Sequence, residues 1–259
     1  VDSLKIDKTD AIDLTIEYKD LVWETILEDL FGFAKQSVAV NFSAEDKITD
    51  VPPKSFPAKV TLLLKRRFEK KLGGFVFLPC ELIDRNGDNL KRCVLKYADL
   101  WNLDDGFKTW VEEKNVFTNT LVDRINTGYP KDEVAELTAR LGEEDKLMNT
   151  AEIFHLWVIE GDFEKEFPLN AAGVNVIWTP DVTPYKKRKV RILNGAHTSL
   201  VPYALLCGFD TVKSCVDDKE MNAYIKKCVF EEIIPTLELP REELVDYAEN
   251  VLTRFSNPY

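Results

Sequence analysis

Lys189, Asn194 and His197 stand at the spacing K-x4-N-x2-H, inside a segment (residues 184–200) that carries five cations and one of the chain's two histidines. On an α-helix, at about 100° per residue, Asn194 lies about 140° and His197 about 80° round from Lys189. The three share an arc, and a flexible lysine stem can carry its amine toward the other two. A lysine exchanges protons near neutrality only if its pKa falls from about 10.4 toward 7–8. Lys186, Lys187, Arg188 and Arg191 would push it that way, because like charge disfavours the ammonium. Asn194 offers an amide and His197 a neutral imidazole to a carbonyl or alkoxide oxygen. Together they suit proton transfer to an oxygen whose carbon gains or loses hydride. A basic first helical turn with a packed histidine is the competing reading, and spacing alone favours it.

The elements around this segment must come from a chain of 259 residues, enough for one large or two modest domains. Hydrophobic content of 45% and charged content of 31% are those of a globular protein. A net charge of −11 argues against nucleic-acid binding, whose footprint is a basic face. Cys80, Cys93, Cys207, Cys215 and Cys228 are odd in number and form no C-x-x-C pair. They read as reduced thiols of a cytoplasmic protein rather than a disulfide framework or a zinc site. No apolar run approaches the roughly 20 residues of a membrane span, and no signal peptide opens the chain. The first residue is valine, so the expectation is that the native start lies upstream.

Helical periodicity over 18–36 leads into an apolar run, 37–42, that reads as a buried strand, the order a parallel α/β sheet requires. No Gly-x-Gly-x-x-Gly turn occurs. A helix is expected over 57–71, a buried strand over 75–83, and a turn cluster at 84–88 that caps a helix over 90–103. A short helix over 107–113, a strand or turn over 116–125 and a charged helix over 130–143 follow. Residues 150–160 read as one strand, with His155 as a packed structural residue. Residues 167–183 are punctuated by proline, and helices are expected over 186–206, 219–234 and 240–255. The implied boundary falls near residue 184, between an α/β part (1–183) and a mostly helical part (184–259). Asp123-Arg124 is the second place for chemistry; taken alone, adjacent opposite charges usually make a surface ion pair.

The stretches L-P-C-E-L-I-D-R-N-G, T-L-V-D-R-I-N-T-G-Y-P, K-V-R-I-L-N-G-A-H-T-S-L-V-P, F-E-E-I-I-P-T-L and R-F-S-N-P-Y run from about residue 57 to the C-terminus. In these motifs the chain resembles the polyol-specific long-chain dehydrogenase/reductase family, which includes the mannitol dehydrogenases, and within it the hexuronate-reducing branch. The resemblance implies an α/β fold class, with a Rossmann-like dinucleotide-binding domain, incomplete here, followed by a mostly α-helical C-terminal domain. It implies an NAD-dependent oxidoreductase that interconverts a keto-hexuronate such as tagaturonate and its hexonate, in the cytoplasm and without a metal. A fructuronate or mannitol enzyme is the sibling alternative, and a non-catalytic helical binding module the alternative of another class.

The resemblance also implies roles. Lys189 becomes the general acid/base, and Asn194 and His197 hold the reacting oxygen or a neighbouring hydroxyl. Val122 and Asp123 lie beside the nicotinamide, with Asp123 orienting the lysine, and Asn41 belongs to the cofactor side. Mannitol dehydrogenases carry Cys-Asp-Asn where this chain has Cys80-Glu81-Leu82, so Glu81 is a candidate replacement polar group. Arg191 is the candidate cation for the sugar-acid carboxylate. The family's glycine-rich phosphate loop lies upstream of anything in this chain. The run Val40-Asn41-Phe42 also passes directly into Ser43, where the family continues differently; residues are expected to be missing there.

Overall fold

The structure, a computed structural model, describes residues 41–50 and 53–257. The expected helix over 18–36 and most of the strand over 37–42 lie outside them. The chain divides into two compact units, Val1–Phe117 and Thr118–Tyr259.

In the first unit, helix α1 (Phe56–Glu69) starts on Ser55, whose side chain accepts from the Ala58 N–H, with Pro57 in the first turn. Strand β1 (Val76–Phe77), helices α2 (Asn86–Leu100) and α3 (Asp105–Lys114), and strand β2 (Val116–Phe117) follow. The two strands are parallel, which obliges the chain to cross over through α2 and α3. Val60, Leu64, Leu90, Val94, Ala98, Phe107 and Val111 fill the core between the helices, with Phe77 and Phe117 stacked at 4.6 Å beside it. The strand expected over 75–83 is only two residues long, because Asn86 Nδ2 donates to the carbonyls of Pro79 and Glu81 and folds that stretch into a turn. At the start of α2, Asn86 Oδ1 accepts the Gly87 N–H at 3.0 Å, while the N-cap residue Arg85 makes no side-chain cap bond. Arg85 instead enters the helix in the left-handed region, at φ 47°.

Gly74 is required where β1 and β2 meet. A Cβ there would sit 1.7 Å from the Lys114 carbonyl oxygen. The close approach lets Phe75 N–H reach Asn115 Oδ1 at 2.9 Å and Val116 N–H reach the Phe75 carbonyl at 2.8 Å. Gly74→Ala is therefore expected to destabilise the protein by about 1–3 kcal/mol, since backbone must move. A urea unfolding midpoint equal to the parent's would contradict this.

The second unit is built on a mixed sheet of order β3 (Thr120–Asp123), β6 (Leu156–Glu160) and β7 (Val176–Thr179), antiparallel then parallel. A ribbon of β4 (Asn126–Gly128) and β5 (Thr150–Ala151) brackets helix α4 (Val134–Leu141). The strand expected over 150–160 is thus two strands, broken at residues 152–155. Strand β7 lies inside the segment expected to be merely proline-punctuated. His155 in the break is structural: its Nε2 accepts the Asn175 N–H at 3.0 Å, which leaves Nδ1 to donate to the Ile153 carbonyl at 3.3 Å.

The remaining chain is helical: α5 (Thr183–Lys189), a π-helical turn (Val190–Asn194), α6 (Gly195–Leu206), α7 (Val212–Asp217), α8 (Lys219–Lys227), a second π turn (Cys228–Ile233), a 3-10 turn (Ile234–Thr236) and α9 (Arg241–Phe255). Helix α7 has no counterpart in the sequence reading. Ile192, Ala196, Leu200, Met221, Ile225, Leu244, Ala248 and Val251 form the helical core. Val182 packs with Leu121, Leu156 and Val158 of the sheet, and Tyr185 lies against them. The helices and the sheet therefore share the second compact unit. No helix among the described residues is long and apolar enough to cross a membrane.

Candidate functional site

The site gathers in the second unit, where α5 meets β3 and the end of α9. Glu160, at the end of β6, receives the Val182 N–H on Oε1 at 3.1 Å and the Asn119 amide on Oε2 at 2.8 Å. A carboxylate at a helix entrance offsets the unpaired N–H groups there and fixes where α5 begins. Seven residues later Lys189 reaches back to the sheet, and its Nζ donates to the Val122 carbonyl at 2.7 Å.

Beyond Lys189 the helix departs from the expected straight run. Gly195 N–H bonds to the Val190 carbonyl, five residues back, which makes a π turn of residues 190–194. One extra residue in the turn puts position i+5 where i+4 stands in an α-helix. Asn194 then falls about 40° to one side of Lys189, and His197 about 20° to the other. The π turn thus lines up the trio more closely than the straight helix expected from the spacing. Lys189 is half-buried, while Asn194 and His197 are exposed on that stripe. The His197 ring meets Phe255 edge-on, with centroids 6.4 Å apart.

Beneath the lysine lies a buried ionic network. Asp123, 2% exposed, receives Arg254 Nη2 on Oδ1 at 2.9 Å and Tyr247 Oη on Oδ2 at 2.5 Å. Arg254 also grips Glu152, with Nη2 to Oε1 at 2.8 Å and Nε to Oε2 at 3.0 Å. The break between β5 and β6 is what lets Glu152 turn inward. Burial pulls the Arg254 guanidinium down, but the bonds to Asp123 and Glu152 outweigh it and keep the cation firmly charged. Burial, then the Asp123 charge, pushes the Tyr247 phenol up, so it remains a proton donor. Arg188 is buried too, over the rings of Tyr185 and Tyr247 at 5.2 and 4.5 Å.

Lys189 titrates below the ordinary lysine value. Burial is the main cause, the Arg254 cation adds to it, and Asp123 opposes both. The direction is the one expected from the sequence, but the cause is not. Lys187 is paired with Glu238 at 3.1 Å, and Arg191 donates to the Thr236 carbonyl at 2.8 Å and its hydroxyl at 3.2 Å. The adjacent charges Asp123 and Arg124 do not pair with each other: alternation along the strand sends Arg124 Nε to the Glu152 carbonyl at 2.9 Å.

Of the residues singled out from sequence, Lys189, Val122 and Asp123 come together, with Asn194 and His197 on the same helical stripe as the lysine. Arg191 is turned toward Thr236, two residues and about 200° from Lys189. Asn41 and Glu81 belong to the first unit. There Asn41 Oδ1 accepts from Asn89 at 3.1 Å, and the Glu81 carbonyl accepts from Asn86 at 3.2 Å.

Tyr247, Arg254 and Glu152 were missed. Two of them carried a readable signal: Leu244, Tyr247, Ala248, Val251, Arg254 and Phe255 follow one another at helical spacing and are all buried. A cation on such a stripe has to find buried partners.

Comparison with known proteins decides the family. The model of the mannitol dehydrogenase Rossmann domain matches residues 44–170, and that of the mannitol dehydrogenase C-terminal domain matches residues 181–259. The chain belongs to the mannitol dehydrogenase family. It is 47% identical over 249 residues to the altronate oxidoreductase of Yersinia enterocolitica, covering 94% of this chain and 51% of that protein. It is 49% identical over 236 residues to the altronate oxidoreductase of an Escherichia coli strain, covering 88% and 49%. The chain thus spans about half the length of these relatives. Among solved structures, a D-sorbitol dehydrogenase in substrate-free form matches at a TM-score of 0.70 and 32% identity, over 79% of this chain and 42% of that one. The Pseudomonas fluorescens mannitol 2-dehydrogenase in ternary complex with NAD and D-mannitol matches at 0.63 and 27%, over 80% and 42%. The family's two models change over between residues 170 and 181, well past the 117/118 division of the compact units. The first part is an α/β dinucleotide-binding fold and the last part is mostly helical.

Proposed function

We propose that this chain carries the proton-transfer site of an NAD-dependent oxidoreductase that interconverts tagaturonate and altronate. The observation behind the reading is the half-buried Lys189 ammonium, fixed on the Val122 carbonyl and titrating low, in a chain similar to altronate oxidoreductases. The residues present fit a nicotinamide cofactor in part. A lysine poised this way suits the oxygen end of hydride chemistry, and Val122 and Asp123 are the residues proposed to lie beside the ring. The sequence has no glycine-rich turn, so none of its residues is assigned to the cofactor's diphosphate.

When bound, the reduced nicotinamide supplies the hydride that forms the new C–H bond at the ketone carbon. The chain's own work is on the oxygen. Asn194 and His197 hold it by hydrogen bonds, and Lys189 Nζ gives its proton to the oxygen as negative charge develops there. In the reverse direction the neutral amine takes the proton from the altronate hydroxyl. Val122 keeps the amine aimed, since one of its three N–H groups is already committed to that carbonyl. Arg191 remains the proposed partner of the substrate carboxylate, with its Nη1 anchored at Thr236. The assignments carried over from the sequence are completed by Asn41 for the cofactor and Glu81 for the substrate, with a cofactor part over 1–183 and a substrate part over 184–259.

The pH dependence follows from the sign of the lysine shift. Reduction requires the ammonium, so its rate is expected to fall as pH rises through the lowered Lys189 value. Oxidation requires the free amine and is expected to rise through the same value. Initial rates in both directions across pH 6–11 check this; limbs of like sign would refute the acid/base role. For the substrate, rates with tagaturonate, fructuronate and mannitol decide. Preference for mannitol would replace the hexuronate reading with the polyol one.

A further inference from the structure

We propose that Arg254 is a positioning residue for Lys189: by fastening Asp123 on β3 it fixes the neighbouring Val122 carbonyl that receives the lysine ammonium. The inference rests on the reading of Lys189 as the proton donor. The geometry is that of a clamp. Arg254 reaches Asp123, 131 residues away in sequence, at 2.9 and 3.3 Å through two nitrogens, and binds Glu152 through Nε and Nη2. Both carboxylates are buried, with side chains 2% and 6% exposed, and the guanidinium is the cation bonded to both, alongside the Tyr247 hydroxyl on Asp123 and the Ile125 N–H on Glu152. A bidentate fork fixes orientation as well as charge, which a single point charge would not.

Tyr247 closes the network from the same helix, at 2.5 Å from Asp123. Phe255, the residue after Arg254, lies edge-on to His197. The last turn of α9 therefore holds the strand that anchors the lysine and touches the histidine on the lysine's own helix. The arrangement also sets the field at the amine. Asp123 attracts its proton, Arg254 repels it, and the two are paired with each other at 2.9 Å. Arg188 and Tyr185 on α5, Tyr247 and Glu243 on α9, and Glu152 ahead of β6 are the other ionisable groups around this network.

The test reads the amine itself, by trace acetylation of the folded protein across a pH series with mass-spectrometric quantification of the Lys189 peptide. Arg254→Met leaves Asp123 negative and without its cation beside the lysine, and labelling at a fixed pH below the titration is expected to fall roughly tenfold. Asp123→Asn removes the attraction and leaves the Arg254 repulsion, so labelling is expected to rise. Opposite signs are the signature, because loosened packing would move both variants the same way. Tyr247→Phe keeps the ring, strips one donor from Asp123, and is expected to lower labelling less than Arg254→Met. It decides the matter with Asp123→Asn if Arg254→Met does not fold. Parent-like labelling in folded Asp123→Asn and Tyr247→Phe, or shifts of equal sign, would overturn the inference. A Lys189→Met protein that still turned over would instead overturn the catalytic reading, so the two failures are distinguishable.

Discussion

Replacing Lys189 by methionine is expected to lower the turnover of tagaturonate by roughly 10²–10⁴-fold, the usual contribution of a positioned general acid. The stem volume is nearly kept, so the fold should survive. The loss should appear in kcat with little change in the binding of the dinucleotide, because the ammonium is asked to act on the reacting oxygen and not on the cofactor. Removing a half-buried charge has a second consequence. Below its lowered pKa the ammonium costs stability, and that cost disappears as pH rises toward the ordinary lysine value. The methionine variant sheds the cost but leaves the Val122 carbonyl without its donor, which costs about 1–3 kcal/mol. The two act in opposite directions, so the change in stability at neutral pH should be smaller than the loss of the donor alone would cause. A dead but folded protein supports the role. Turnover within about threefold of the parent's would sink it, since a tenfold effect is only about 1.4 kcal/mol of barrier.

The largest effect on stability is expected at Arg254. Truncation to alanine leaves the buried Asp123 and Glu152 carboxylates facing each other without their counter-ion. Breaking a buried pair in this way costs about 3–5 kcal/mol, because the remaining charges stay desolvated and now repel. Phe154 also loses the guanidinium that sits 4.4 Å from its ring centroid. Urea unfolding of the parent and of Arg254→Ala measures the difference, and the double replacement with Asp123→Asn should recover part of the loss. A loss below about 1 kcal/mol would mean that water reaches these carboxylates and that the network is a surface feature, contrary to its burial.

The two effects separate what the site needs. On the proposed reading Lys189 supplies the proton, and its neighbours supply neither proton nor hydride. They decide where the amine points and how readily it gives the proton up. Arg191, the proposed partner of the substrate carboxylate, is held differently from Lys189. It is close in sequence and basic, yet its guanidinium is tied to Thr236 on the far side of the helix.

Much of this was legible in the chain itself. The spacing of Lys189, Asn194 and His197, the V-D-R stretch and the apolar stripe of α9 are local patterns, and local patterns need no knowledge of partners. The helices of residues 56–69, 86–100, 105–114 and 241–255 came close to their expected limits for the same reason. What tertiary structure alone decided is non-local. Strand β7 forms in a segment without strand alternation because β6 offers it a parallel edge. The π turn depends on one backbone bond, from Gly195 to Val190, that side-chain periodicity does not encode. The low lysine pKa comes chiefly from burial, with Asp123 opposing and Arg254 adding to it, while Lys187 and Arg191 are drawn off to Glu238 and Thr236. Sequence marked out Lys189 as the proposed proton donor; the folding of α9 against β3, over a separation of 131 residues, decided the charges and the anchor that surround it.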